Sequence, residues 1–152
     1  MRIRSIDVST DAVEAVISFG VDEPMRTSEA PGSAARVLRE LPGLRAHRCD
    51  NDAGVPFREE ALDTEFAHLV EHCALEVMAL AGSPVTLRGT TRWDFATDGR
   101  GVFHVAVAYD DDLVALGALR AAAALVAWSV EGTGEPPAVE DEARRLRLLR
   151  RR

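Results

Sequence analysis

One segment constrains the fold more than any other: residues 59–80, EEALDTEFAHLVEHCALEVMAL, which stop before Gly82-Ser83-Pro84. On a wheel at about 100° per residue, Leu69, Val70, Cys73, Ala74, Val77, Met78, Leu80 and Ala81 share one side. Glu65, His68, Glu71, His72 and Glu76 gather on the other. A long helix with such a stripe must lay its apolar side on another layer of structure. It is predicted to be the central helix of the domain.

The flanking sequence supplies that layer. Ile6 and Val8 mark a first strand, and residues 13–21, rich in β-branched side chains, a second that can pair with it as a hairpin. Residues 24–32 read as loop. Ala34, Val37, Leu38 and Leu41 fall at helical spacing until Pro42-Gly43 stops them. Residues 45–57, with Asn51-Asp52 and Gly54-Val55-Pro56, read as irregular loop. After the central helix, residues 85–95 are predicted to be a strand with Leu87, Thr91, Trp93 and Phe95 on one face. Asp98-Gly99 turns the chain into another strand at 102–109, where Phe103, Val105 and Val107 alternate with His104, Ala106 and Ala108. Asp110, Asp111 and Asp112 can cap a last long, Ala-rich helix. The order predicts an α+β fold: a mostly antiparallel sheet with helices packed on one face.

At 152 residues with 47% apolar content, one domain with a real core is expected. We place it at residues 1–137, followed by an Arg-rich tail or short, weakly held helix at 138–152. All 18 basic residues are arginine. Without lysine, Schiff-base enzymes and P-loop nucleotidases are excluded. A net charge of −7 gives no long-range attraction for nucleic acid or anionic membrane. Arg144, Arg145, Arg147, Arg150, Arg151 and Arg152 cluster at the end, either as a solvated face or as a docking arm for an acidic partner. Two cysteines make no disulfide framework, and the first ten residues lack the apolar run of a signal peptide. The most apolar stretch, 113–130, is interrupted by Gly117 and Arg120. A cytoplasmic protein without a membrane span is expected.

The chemistry sits on the central helix. His68 and His72, four apart, place two imidazoles one turn apart on one face, where their ring nitrogens can converge on a zinc ion. Glu71 leans over the same place and can take a proton from a metal-bound water. His-x-x-Glu-His is the inverted zinc-peptidase pattern. The alternative is a solvated helix face with ordinary polar residues. A zinc site needs a third protein ligand, and the sequence leaves it open among Glu76, His104, His47, Cys49 and Asp110. Glu76 lies on the polar face but far along the axis, and His104 points off the strand face opposite Phe103. Arg88 and Arg92 are candidates to hold substrate carboxylates.

His47-Arg48-Cys49, a loop with Gly54 and Phe57, and HLVEHCALEVMALAG (68–82) together resemble the N-terminal domain of cyanophycin synthetases. There a His-x-Cys and a Gly-rich loop precede a helix of the form H-x-x-E-H-x-A-L-E-x-x-x-L-A-G. Gly89-Thr90-Thr91-Arg92 is similar to that family's G-R-T-R strand, and VFHVAVAYDDD (102–112) to its strand ending in an acidic stretch. The resemblance spans about residues 40–128. It implies a domain that handles a poly-aspartate polymer bearing arginine side chains and, in some members, a metallopeptidase-like site that trims it. His68 and His72 would then be metal ligands and Glu71 the base. The family's Gly-Gly-Phe is reduced here to Gly54-Val55-Pro56-Phe57, and Ala108 stands where a carboxylate is usual. The synthetases continue into an ATP-grasp and a Mur-ligase-like module. This sequence carries neither, so a free-standing domain that polymerises nothing is expected. Three functions follow as expectations: a zinc-dependent peptidase or isopeptidase acting on a cyanophycin-like polymer, a non-catalytic module binding that polymer or a partner, or an assembly domain.

Overall fold

A computed structural model describes residues 1–49 and 54–150. The expected Asn51-Asp52 loop and Arg151 and Arg152 lie outside the described residues. The elements are β1 (Arg2–Val8), β2 (Ala12–Ser18), α1 (Ser33–Glu40), α2 (Phe57–Glu60), α3 (Phe66–Leu80), β3 (Gly89–Arg92), α4 (Phe95–Asp98), β4 (Val102–Ala108), α5 (Asp112–Glu131) and α6 (Val139–Leu149). Single 3-10 segments occupy Thr27–Glu29 and Pro42–Ala46. The sheet runs β1-β2-β4-β3, antiparallel throughout, as the expected α+β class requires.

The sheet's inner face follows the alternation in the sequence. Val13, Ala15 and Ile17 of β2 pair with Val107, Val105 and Phe103 of β4, and all six are buried. In β1, Ile3 and Ile6 both pack on the core although they are three apart, which period-2 geometry alone would forbid. A register shift between Ile3 and Ser5 resolves the conflict by slipping the strand one residue.

Helices α3 and α5 cover this face. The Asp111 carboxylate starts α5, accepting from the backbone N–H of Leu113 and Val114 at 3.1 and 3.3 Å. Length and hydropathy would let α5 cross a membrane, but Val114, Ala118, Leu119, Ala122 and Leu125 are buried among the other elements, as in a core helix. Gly117 is explained by α6: a methyl group there would overlap the Leu146 side chain, so glycine lets the last helix settle against α5. Within the segment expected as a tail or weakly held helix, Val139–Leu149 forms α6, with Val139, Ala143 and Leu146 buried. Several of its arginines find partners within the molecule: Arg144 with Asp141, Arg145 with Glu142, Arg150 with Asp110.

Three expectations are corrected. The helix predicted over 59–80 is two helices, because residues 64–66 spend their backbone groups elsewhere. Thr27 N–H donates to Thr64 O and Phe66 N–H to Met25 O, both at 2.8 Å, and an isolated bridge joins Arg26 to Glu65. The strand predicted over 85–95 shrinks to Gly89–Arg92, because the Asp94 carboxylate accepts from the N–H groups of Ala96 and Thr97, at 3.2 Å each, and starts α4 instead. Leu80, placed in the core by the wheel, is 43% exposed at the end of α3.

The wheel also understates α3. Leu69, Cys73 and Val77 meet the core as expected, but Glu71 and His72 on the polar side are only 6% and 4% exposed. That side is roofed by residues 42–49, by α2 and by β3.

Candidate metal centre

The roof brings partners to each polar side chain of α3. His47 and Cys49 follow the 3-10 segment Pro42–Ala46, and Cys49 Sγ lies 2.9 Å from His72 Nε2 and 3.5 Å from His68 Nε2. The three donor atoms Cys49 Sγ, His68 N and His72 N lie within 4.8 Å of one another. Around a tetrahedral zinc, with Zn–S about 2.3 Å and Zn–N about 2.0–2.1 Å, such donors stand about 3.3–3.6 Å apart. The donor set therefore fits zinc in type, and its 2.9 and 3.5 Å sulfur–nitrogen distances lie near the tetrahedral ones. A metal held by these three would keep a fourth position for water or substrate, as catalytic sites do.

Each ring is held from behind. His68 Nδ1 lies 2.9 Å from Thr64 Oγ1, with Glu60 Oε1 at 3.8 Å. His72 Nδ1 lies 3.0 Å from His47 Nδ1, and His47 Nε2 lies 2.8 Å from Glu76 Oε2. Phe57 stacks on the His72 ring, centroids 3.8 Å apart and planes 16° apart, and meets His68 edge-on at 5.8 Å. Burial first, then the nearby His68 and His47 rings, pushes the His72 pKa down to about 2. His72 is therefore neutral, the form that ligates metals. Cys73, on the opposite side of α3, is fully buried and its thiol is pushed up by that burial, so Cys49 is the thiol of the site.

Glu71 sits beside this cluster. Thr91 Oγ1 donates to its Oε2 at 2.6 Å. Gly89 makes its room, since a Cβ there would lie 2.5 Å from Glu71 Cγ. Burial raises the Glu71 pKa, and the Thr91 hydrogen bond and the His68 charge only partly oppose it. That direction brings a carboxylate toward the range a general base uses at neutral pH. All of these groups open on one cavity of about 730 Å³. Arg48 and Arg88 line its basic part, and Leu75, Met78 and Leu87 its apolar wall.

The fold separates the candidates for a third donor by where it places them. Cys49 is the residue the fold delivers to His68 and His72. Glu76 holds His47 instead of facing the cluster. His104 lies on the outer face of the sheet, between Glu14 Oε1 at 2.9 Å and Asp98 Oδ2 at 3.1 Å. Strand parity puts it there, because Phe103 and Val105 take the inner face. Asp110 is engaged by Ser83, at 2.7 Å, and by Arg150. Of the two arginines, Arg88 lines the cavity, whereas Arg92 reaches across the outer face to Glu14 Oε2 at 3.0 Å. Ala108 shares the outer-face parity of His104 and Ala106, so the missing carboxylate leaves the cavity untouched. Phe57, Thr91, Gly43 and Gly89 were not read from the sequence as site-forming residues. A glycine opposite a helix carboxylate carries no pattern of its own.

Comparison with known proteins meets this geometry. The family described as cyanophycin synthase-like N-terminal domain matches residues 15–131, a span that contains the whole site. The chain is similar to a cyanophycin synthetase of Geminocystis herdmanii (strain PCC 6308), 38% identical over 80 residues, which are 52% of this chain and 9% of that protein. It is also similar to a cyanophycin synthetase of Crocosphaera subtropica (strain ATCC 51142 / BH68), 34% identical over 122 residues, 80% of this chain and 13% of that protein. The chain thus corresponds to about a tenth of the length of these relatives.

Proposed function

This chain belongs to the cyanophycin synthase-like N-terminal domain family, and we propose that it is a zinc-dependent hydrolase of peptide or isopeptide bonds in an Asp/Arg-rich, cyanophycin-like polymer. The observation that carries this reading is the convergence of Cys49, His68 and His72 within 4.8 Å beside a buried carboxylate. Zinc, when bound, supplies a Lewis acid for the scissile carbonyl and lowers the pKa of water. Glu71 takes the proton of the attacking water and returns it to the leaving nitrogen. Its burial keeps it basic enough for the first step, and Thr91 keeps one oxygen anchored so that the other faces the cavity. Arg88 and Arg48, which both line the cavity, recognise carboxylates of the polymer, while Leu75 and Met78 take aliphatic portions of its side chains.

The test is metal content followed by turnover. Protein purified without a histidine tag should carry close to one zinc per chain, lost in Cys49→Ala, His68→Ala and His72→Ala. Glu71→Gln should keep the metal and lose hydrolysis of Asp/Arg polymer by several orders of magnitude, because an amide cannot accept the proton. Wild type that takes up no zinc removes the enzyme reading. The same cavity suits a non-catalytic polymer-binding module, and metal with tight polymer binding but no hydrolysis would establish that second reading.

A further inference from the structure

We propose that Glu76 and His47 are positioning residues that fix which nitrogen of His72 faces the metal, and that Gly43 creates the space in which Glu76 does so. This inference rests on the metal centre proposed above.

The argument follows the protons. A ligating imidazole must present a bare nitrogen, and the other nitrogen's hydrogen bond decides which one is bare. A carboxylate only accepts. His47 Nε2, 2.8 Å from Glu76 Oε2, therefore carries a hydrogen. In the relay that serves a ligating His72, His47 Nδ1 is bare and only accepts. His72 Nδ1, 3.0 Å away, must be the donor. His72 Nε2 is left bare, and it is the nitrogen turned to Cys49 Sγ at 2.9 Å. The stacked Phe57 ring fixes the plane in which this happens.

The fold makes the relay local. Glu76 is one helical turn beyond His72, so His47 can bridge two residues of α3 on the same face. A Cβ on Gly43 would overlap Glu76 Oε1 and lie 2.7 Å from its Cδ. Gly43 is not among the positive-φ glycines, so alanine fits the backbone and only the carboxylate objects.

The experiment measures zinc affinity by chelator competition and records the visible spectrum of the cobalt(II) form, with folding checked by circular dichroism. His47→Ala and Glu76→Ala should each weaken zinc binding about 10–100-fold and shift the cobalt bands while keeping one metal per chain. The double variant should be no weaker than His47→Ala alone, since Glu76 acts through His47. Gly43→Ala should weaken binding in the same direction without altering any ligand or relay side chain. Glu76→Gln, nearly isosteric, keeps an acceptor oxygen and should lose less than tenfold. Wild-type affinity and spectrum in folded single variants would overturn the relay and leave the centre standing, as would additive losses in the double variant. A loss in Glu76→Gln as large as in Glu76→Ala would show that charge, not the tautomer, matters, and would also overturn it. A wild type that binds no metal would overturn the centre and the relay together.

Discussion

Thr91→Val tests whether the pairing of β3 with α3 controls the state of Glu71. Valine nearly matches threonine in shape and suits a strand facing Val105, so the lost hydroxyl is the main change. That hydroxyl donates to Glu71 Oε2 at 2.6 Å in a place where the carboxyl is only 6% exposed. A hydrogen bond to a charged group contributes about 1.5–3 kcal/mol, against about 0.5–1.5 kcal/mol for a neutral one. The sign with pH follows from burial. Glu71 has a folded pKa above its ordinary 4.5, so its protonated form is favoured in the fold. Its contribution is fully present below 4.5 and is lost as pH rises through the folded value. Removing the Thr91 donor takes away a contact that favours the ionised form and raises the folded value further. The stability lost in Thr91→Val, read from urea melts of metal-free protein, should therefore grow with pH. We expect about 1 kcal/mol more loss where Glu71 is ionised than where it is protonated. In a Glu71→Gln background the pH dependence of the loss should vanish. A loss equal at both ends of the pH range, or a pH-dependent loss that persists in Glu71→Gln, would show that the hydroxyl does not act on this carboxylate.

Two further predictions concern the fold alone. Leu69→Ala, at a position with no exposure, should cost about 2–5 kcal/mol, whereas Leu80→Ala, 43% exposed, should change stability by about 0.5 kcal/mol or less. Denaturant melts of the pair check the orientation of α3, and equal losses would contradict it. Asp111→Ala should cost about 1 kcal/mol through loss of the α5 cap, read as a lower thermal midpoint, and no loss would mean the cap is replaced by a neighbour such as Asp112.

Strand parity was the most legible part of the chain. Once Phe103, Val105 and Val107 are read as the inner face, His104 must point outward, and its candidacy as a ligand fails on the same pattern that located the strand. Element boundaries were less legible because they depend on hydrogen bonds from elsewhere. The 59–80 helix breaks where residues 64–66 bond to residues 25–27, and nothing within 59–80 announces that partner. Cys49 lies in between. It appears in the sequence as one of five candidate ligands, and only the fold of residues 42–49 over α3 distinguishes it from the others.

The burial of the polar face of α3 connects these observations. A helical wheel ranks the sides of a helix against each other but does not say whether the more polar side reaches water. On α3 much of it does not, and a buried polar group without a partner is costly. The face therefore has to be satisfied group by group: His68 by Thr64, Glu71 by Thr91, His72 and Glu76 by His47. A helix meant only to hold the sheet would cover this side more simply with apolar residues, as α5 does. Covering it instead with two imidazoles and two carboxylates, under a roof that adds a thiol, sacrifices simplicity of packing for a defined arrangement of donors and acceptors. Local rules give way in this manner where a site is being built. Gly43 and Gly89 follow the same logic, each leaving the space of a side chain vacant for one of the two carboxylates.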